Sequence, residues 1–277
     1  MTHREDRFAA GDGLTLYEQA WLPAGQSRAA VVVVHGVTEH GGRYARLAGE
    51  LNQCGYAVHA MDLRGHGRSE GDRILIRRFD QYLDDVELFL GRVAGREAGK
   101  PLFLFGHSMG GAIVALLAAT RQPNARGVIL SAPAVLVAGG VFPVLRRLAG
   151  FVSAVWPTLR LVHMGCQFLS RDPAVVAEFR SDPLVFHGGF PVCTGAEILR
   201  AANRLQTAAG RLALPLLVLH GTGDVVTDHR GSRLLVARAG STDKSLRLYP
   251  GLYHDLINEP EREQVLADLL VWLDGHQ

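Results

Sequence analysis

The chain reads as an α/β protein, a mostly parallel β-sheet with helices on both faces and one inserted helical cap. Three observations predict this. Runs such as 29–34 and 102–105 are apolar from end to end, as strands buried on both faces must be. Stretches at helical spacing (43–51, 79–93 and 111–120) alternate with them, the rhythm of βαβ units. Between 134 and 206 that rhythm stops: helical periodicity continues without a convincing strand, and strand chemistry resumes at 215–220. The expected division is therefore a core of residues 1–133 and 207–277 with a helical insertion at 134–206.

In order, 8–22 alternates weakly around Gly11 and Gly13 and is expected to form a β-hairpin. The strand at 29–34 ends in His35-Gly36-Val37-Thr38-Glu39-His40, before a helix with Tyr44, Leu47 and Leu51 on one side. The strand at 57–63 runs into Arg64-Gly65-His66-Gly67-Arg68-Ser69, too rich in glycine to be regular. The helix at 79–93 buries Tyr82, Val86, Phe89 and Val93. Strands follow at 102–105 and 127–131, with a helix between them. After the insertion come the strand at 215–220, a helix at 230–239 and a strand at 245–249. A last helix carries Val265, Leu266, Leu269, Leu270 and Leu273 on its apolar face, with Asn258 and Glu261 available to cap it.

Composition narrows the function classes. Apolar residues make up 48% of the chain, enough for a full core, and the formal net charge of +2 is spread without a basic patch, so nucleic acid is not an expected partner. The N-terminal Met1-Thr-His-Arg-Glu-Asp-Arg lacks the apolar segment of a signal peptide. Cys54, Cys166 and Cys193 are odd in number and far apart, which fits reduced thiols in the cytoplasm, not a disulfide frame or a zinc site. The most apolar region, 141–169, is broken by Arg146, Arg147, Arg160, Pro143 and Pro157, and its longest uncharged run, 148–159, is well short of the roughly 18 residues that cross a bilayer.

The chemistry gathers at Gly106-His107-Ser108-Met109-Gly110, between an apolar strand and a helix. A serine at such a sharp turn stands clear of the sheet, with the N–H of the next residue aimed at whatever it attacks. Its hydroxyl needs a base, and the base needs an acid to orient it; serine elbows on α/β sheets take both from late loops, acid before histidine. Asp224 and His254 satisfy that order, each just past the carboxyl end of an expected strand, where ligands gather on parallel sheets. Asp228 competes with Asp224, but it lies where the next helix begins and reads as its cap. The oxyanion hole takes its donors from the backbone, Met109 N–H in the elbow and Val37 N–H in the loop after the early strand.

His35, His66, His107 and His220 read first as hydrogen-bonded loop residues. Pocket candidates are His35, Gly36 and His107 beside the two turns, Val225 next to the acid, Phe142 and Leu145 in the insertion, and Cys193. The insertion carries more apolar residues (Phe142, Val144, Leu145, Leu148, Phe151, Val152, Val155, Trp156) than its own packing needs. They face either the site or a lipid surface, with Arg146 and Arg147 toward head groups; ordinary packing on the core is the competing reading.

The chain resembles the monoacylglycerol lipases and the lysophospholipase-like serine hydrolases of the α/β-hydrolase superfamily. The resemblance rests on His35-Gly36 with Glu39-His40 and Arg43-Tyr44, on Gly65-His66-Gly67 with Ser69-Glu70-Gly71, and on the elbow through Gly111. Ser131-Ala132-Pro133, Asp182-Pro183-Leu184, Val192-Cys193 and Tyr253-His254 extend it. It implies an α/β-hydrolase fold, Ser108, Asp224 and His254 as triad, and Val37 and Met109 as oxyanion hole. It also implies a mobile cap over an apolar acyl tunnel. The expected activity is hydrolysis of lipid monoesters, monoacylglycerol to fatty acid and glycerol, without metal or organic cofactor. A lysophospholipase or short-chain carboxylesterase is the alternative within enzymes, and a non-catalytic ligand-binding α/β-hydrolase the alternative outside them. The expected place is the cytoplasm, with the cap meeting membrane surfaces.

Overall fold

The structure, a computed structural model, describes residues 1–136, 156, 158–162 and 165–277. Eight strands form one sheet in the order β1-β2-β4-β3-β5-β6-β9-β10. They are β1 Thr2–Ala9, β2 Thr15–Leu22, β3 Ala29–Val34, β4 Tyr56–Met61, β5 Leu102–His107, β6 Gly127–Ser131, β9 Leu216–Gly221 and β10 Lys244–Tyr249. Within this sheet every pairing from β4 across to β10 is parallel, while β1 on β2 and β2 on β4 are antiparallel.

Alternation along the strands sends side chains to two cores. Ala30, Val32, Val34, Leu102, Leu104, Val128, Leu130, Leu216 and Val218 face one side. There they meet α2 (Asp80–Arg96), α3 (Met109–Arg121), α5 (Val192–Ala208) and α6 (His229–Arg238). Ala29, Val31, Val33, Phe103, Phe105, Ile129, Leu217 and Leu219 face the other, against α1 (Ala45–Gln53) and α7 (Arg262–Asp274). The central α3 is buried on every side from Met109 to Ala119, so its apolar residues need no amphipathic pattern.

Between β6 and β9 the described residues form α4 (Pro173–Ser181), α5 and two short antiparallel strands, β7 (Arg160–Val162) and β8 (Phe190–Pro191). The strands correct the expectation of none there; at three and two residues they are too short for a period to register. The N-terminal hairpin begins at Thr2, not at residue 8, because β1 is an exposed edge whose charges hide its pattern. Asn258 does not cap α7. It sits in a 3₁₀ turn with its amide donating to Asp255, and Glu261, at the cap position, makes no side-chain capping bond.

Two glycines fix how the loops close over the sheet. A Cβ on Gly110 would lie 2.1 Å from the Val34 carbonyl oxygen, so α3 presses directly on β3. A Cβ on Gly221 would lie 2.1 Å from the Leu252 oxygen, where the loop after β9 crosses the loop after β10. Gly110→Ala is expected to lower the unfolding free energy by about 3 kcal/mol. Gly49→Ala, in open space within α1, is expected to raise it by about 0.5–1 kcal/mol. Urea midpoints check both, and equal midpoints for the two variants would contradict this packing.

Candidate active site

β5 ends at His107, and the chain turns through Ser108 at φ 54°, ψ −117° before α3 begins. This is a backbone region that a residue with a Cβ enters at a cost of about 1–3 kcal/mol. Neighbouring bonds hold it there: Ser108 N–H donates to Ser131 O at 3.0 Å, and Ser108 O accepts from Ala112 and Ala134 N–H at 3.1 and 3.0 Å.

Asp224 follows β9 in a tight turn. Its Oδ1 accepts the N–H groups of Val226 and Thr227 at 2.7 and 3.0 Å. Its Oδ2 takes the His254 ring at Nδ1 (2.7 Å) and the Thr227 hydroxyl (2.8 Å), with His220 Nε2 at 3.2 Å. Burial alone would raise the carboxyl pKa, but the His254 charge and the bonds from His220 and His254 outweigh it and hold Asp224 well below the usual range. His254 is buried in the loop after β10. Burial pulls its pKa down, while the charge and hydrogen bond of Asp224, aided by Asp255 and Glu39, lift it above the ordinary 6.5. With Nδ1 engaged, Nε2 is the nitrogen left to exchange protons. Ser108 Oγ and His254 Nε2 do not form a hydrogen bond here; such contacts are often loose without substrate and tighten in the complex.

Val37 lies in the loop after β3, and neither its N–H nor that of Met109 has an acceptor among the described residues. That loop is pinned by Glu39, whose Oε1 accepts Gly36 N–H at 2.6 Å and Tyr44 O–H at 2.9 Å. Arg43 then spans Glu39 and Asp255 at 3.2 Å each, tying the loop to the residue beside His254. Glu39 is buried, which favours the neutral acid, yet His107, Arg43 and the Gly36 N–H outweigh this and lower its pKa.

Of the pocket candidates, His107 lies with its ring 4.7 Å from the His254 ring, tilted by 50°, and donates from Nδ1 to Ser131 O (3.2 Å). Burial, then the charge of His254, lowers its pKa. Gly36 packs on the elbow, where a Cβ would meet Ser108 Cβ at 3.2 Å. Val225 stands half exposed beside Asp224. His35 is fully buried, with Nδ1 at Gly36 O and Nε2 accepting Leu63 N–H, and burial pushes its pKa down to about 3. It ties two loops together and leaves no ring nitrogen for a ligand. Cys193 is buried, its thiol on Ile76 O. Phe142 and Leu145 lie outside the described residues. Asp228 caps α6, accepting Arg230 N–H at 2.8 Å, as expected of it.

Thr227 had no role in the sequence reading, Glu39 and Arg43 entered it only as motif residues, and the support that Asp255 gives to Arg43 was not foreseen. For Thr227 a signal existed: an aspartate followed three residues on by threonine closes a side-chain-capped turn. Glu39 and Arg43 are four residues apart, and only the fold brings Asp255 to them.

Strand order, a strained serine after β5, and an Asp–His pair after β9 and β10 define a serine hydrolase of the α/β-hydrolase fold. A family profile described as serine aminopeptidase, S33, matches residues 25–261. A monoacylglycerol lipase of Mycolicibacterium smegmatis is 38% identical over 275 residues, 99% of this chain and 98% of that one. The human monoglyceride lipase is 38% identical over 95% of this chain and 88% of its own. A solved monoacylglycerol lipase from Paleococcus ferrophilus superposes with a TM-score of 0.84 at 30% identity, covering 100% of both chains. The chain therefore belongs to the monoacylglycerol lipase-like serine hydrolases.

Glu39→Gln is expected to lower stability at neutral pH by about 2–4 kcal/mol, because Arg43 stays buried with one partner lost. The folded pKa of Glu39 is depressed, so its contribution is present above the unfolded value and lost as pH falls through the folded one. The gap between the two proteins should narrow below pH 4.5, as denaturant titrations at several pH values would read. A gap independent of pH contradicts the ionised assignment.

Proposed function

We propose that the chain hydrolyses lipid monoesters, monoacylglycerols first, through an acyl-enzyme on Ser108. Ser108 Oγ attacks the ester carbonyl while His254 Nε2 takes its proton, and Asp224 holds the ring in the Nδ1–H tautomer. The tetrahedral oxyanion meets the N–H groups of Val37 and Met109. His254 then returns the proton to the departing glycerol oxygen, and water repeats the sequence on the acyl-enzyme to release the fatty acid. The observation that carries this reading is His254 Nδ1 at 2.7 Å from Asp224, which leaves Nε2 as the base on the sheet edge where Ser108 emerges. The names of the relatives support the substrate class.

The insertion between β6 and β9 forms the cap over this edge in the proposal. It touches the core beside the oxyanion loop, where Phe186 N–H donates to Thr38 O at 2.8 Å and His40 Nε2 pairs with Asp182 at 2.9 Å. Trp156, Leu159 and Phe168 are exposed on it, which supports brief contact with a lipid surface. Among the described residues no helix is long and apolar enough to cross a membrane. Three free cysteines favour a cytoplasmic setting.

Ser108→Ala is expected to cut kcat for a monoacylglycerol by about 10⁴-fold or more with the unfolding midpoint unchanged. Undiminished turnover in that variant would sink the assignment. A panel of monoacylglycerols, lysophospholipids and short acyl esters separates the lipase from the lysophospholipase and the general esterase by kcat/KM. Because His254 is held above 6.5, the acid limb of kcat/KM should have its midpoint above that value, activity being lost as the base becomes protonated. An acid limb well below pH 6.5 contradicts His254 as the base.

A further inference from the structure

His220, the penultimate residue of β9, has no part in the scheme above, yet it is fully buried and its ring is engaged on both sides. Its Nε2 faces Asp224 Oδ2 at 3.2 Å and Thr227 O at 3.3 Å. Thr227 Oγ lies farther away, at 3.4 Å. That hydroxyl stands nearer to Asp224 Oδ2 (2.8 Å) than to Ala132 O (3.1 Å), so its proton serves the carboxylate and Nε2 sees acceptors alone. A ring nitrogen surrounded by acceptors carries the proton. On the other side Nδ1 lies 2.7 Å from the hydroxyl of Ser232 on α6, which is free to donate to it. One arrangement gives every donor of the set an acceptor: Ser232 O–H to Nδ1, Nε2–H to Asp224, Thr227 O–H to Asp224, and His254 Nδ1–H to Asp224.

We propose that His220 is a positioning residue, an Nε2–H donor that with Thr227 fixes Asp224 Oδ2 on His254. A carboxylate bound only by His254 and its own turn can rotate about its last bond. Three donors on one oxygen remove that freedom and carry it through Ser232 to α6. They also share the negative charge that Asp224 would otherwise present to His254 alone. The inference rests on Asp224 and His254 forming the base pair of the proposed reaction.

The groups facing His254 set the sign of the test. They are Asp224 from the loop after β9, Asp255 beside it, Glu39 from the loop after β3 and His107 from the elbow, with Arg43 joining Glu39 to Asp255. His220→Leu leaves these in place and removes one donor from Asp224. The carboxylate then stabilises the imidazolium more strongly, so the His254 midpoint rises. His220→Gln keeps an amide N–H near the place of Nε2 and should restore the donor.

The test is an NMR titration of the His254 ring in the wild-type chain and both variants, beside kcat and KM for a monoacylglycerol. Expected are a midpoint raised by roughly half a unit to one unit in His220→Leu and a value near wild type in His220→Gln. kcat should fall about tenfold in the former with KM within about twofold, and largely recover in the latter. Long-range ¹H–¹⁵N correlations on the wild-type protein read the His220 tautomer without any substitution and are expected to show Nε2–H. An Nδ1–H ring, an unshifted His254 in folded His220→Leu, or equal damage from Leu and Gln overturns the proposal. Absence of turnover in the wild type overturns the hydrolase reading instead, and the ring titrations still decide the role of His220.

Discussion

The constraint that organises this molecule is a contact between two backbones. Gly110 lets the first turn of α3 lie against the Val34 and His35 carbonyls, and a Cβ there has 2.1 and 2.5 Å to them. Because the helix is drawn so close to β3, the chain must reverse within one residue after β5, and Ser108 takes a backbone conformation it would otherwise avoid. The same closeness brings the loop after β3, with Val37, beside the start of α3, with Met109. Ser108 and the N–H groups of Val37 and Met109, the proposed nucleophile and oxyanion donors, thus share one cause. The strain is local, and the two fully buried cores on either side of the sheet hold it.

Charge is handled by a second set of contacts. Glu39 and Asp224 are buried carboxylates, and each is matched by donors that keep it ionised: Arg43, Tyr44 and Gly36 N–H on the first, His254, His220, Thr227 and two backbone N–H groups on the second. Burying such groups singly would cost several kcal/mol, so they persist as networks. Arg43 joins the loop after β3 to Asp255, adjacent to His254. Loops that meet only at the sheet edge are thereby set against one another by side-chain bonds. The lifted pKa of His254 is a property of this network as much as of its partner.

How much of this could be read beforehand follows from where the information lies. Parallel strands buried on both faces are mostly apolar, so β3, β5, β6 and β9 announce themselves as runs, and β4 does so apart from His59, which pairs with Glu97. β1 does not, since Thr2-His-Arg-Glu-Asp-Arg is a solvent-facing edge with only Phe8 turned inward. Ser108, Asp224 and His254 were legible because each stands at the end of a strand in a fixed chain order. The supports were not: Arg43 and Asp255 are 212 residues apart, and only the closed sheet makes them neighbours. The candidates His35 and Cys193 sit beside the right motifs, but local sequence does not say which way a side chain turns, and both are spent on loop hydrogen bonds. Asp228 and Asp224 were separable only by position relative to α6, and the structure divides them the same way.

The central claim is that one serine, strained at the elbow and served by one Asp–His pair, is the nucleophile. Reaction of the folded chain with a fluorophosphonate, followed by peptide mapping in a mass spectrometer, tests it most directly. The account predicts a single adduct, on Ser108, formed at a rate that falls with protonation of His254. A folded chain that takes up no label, or carries it on another residue, would contradict it.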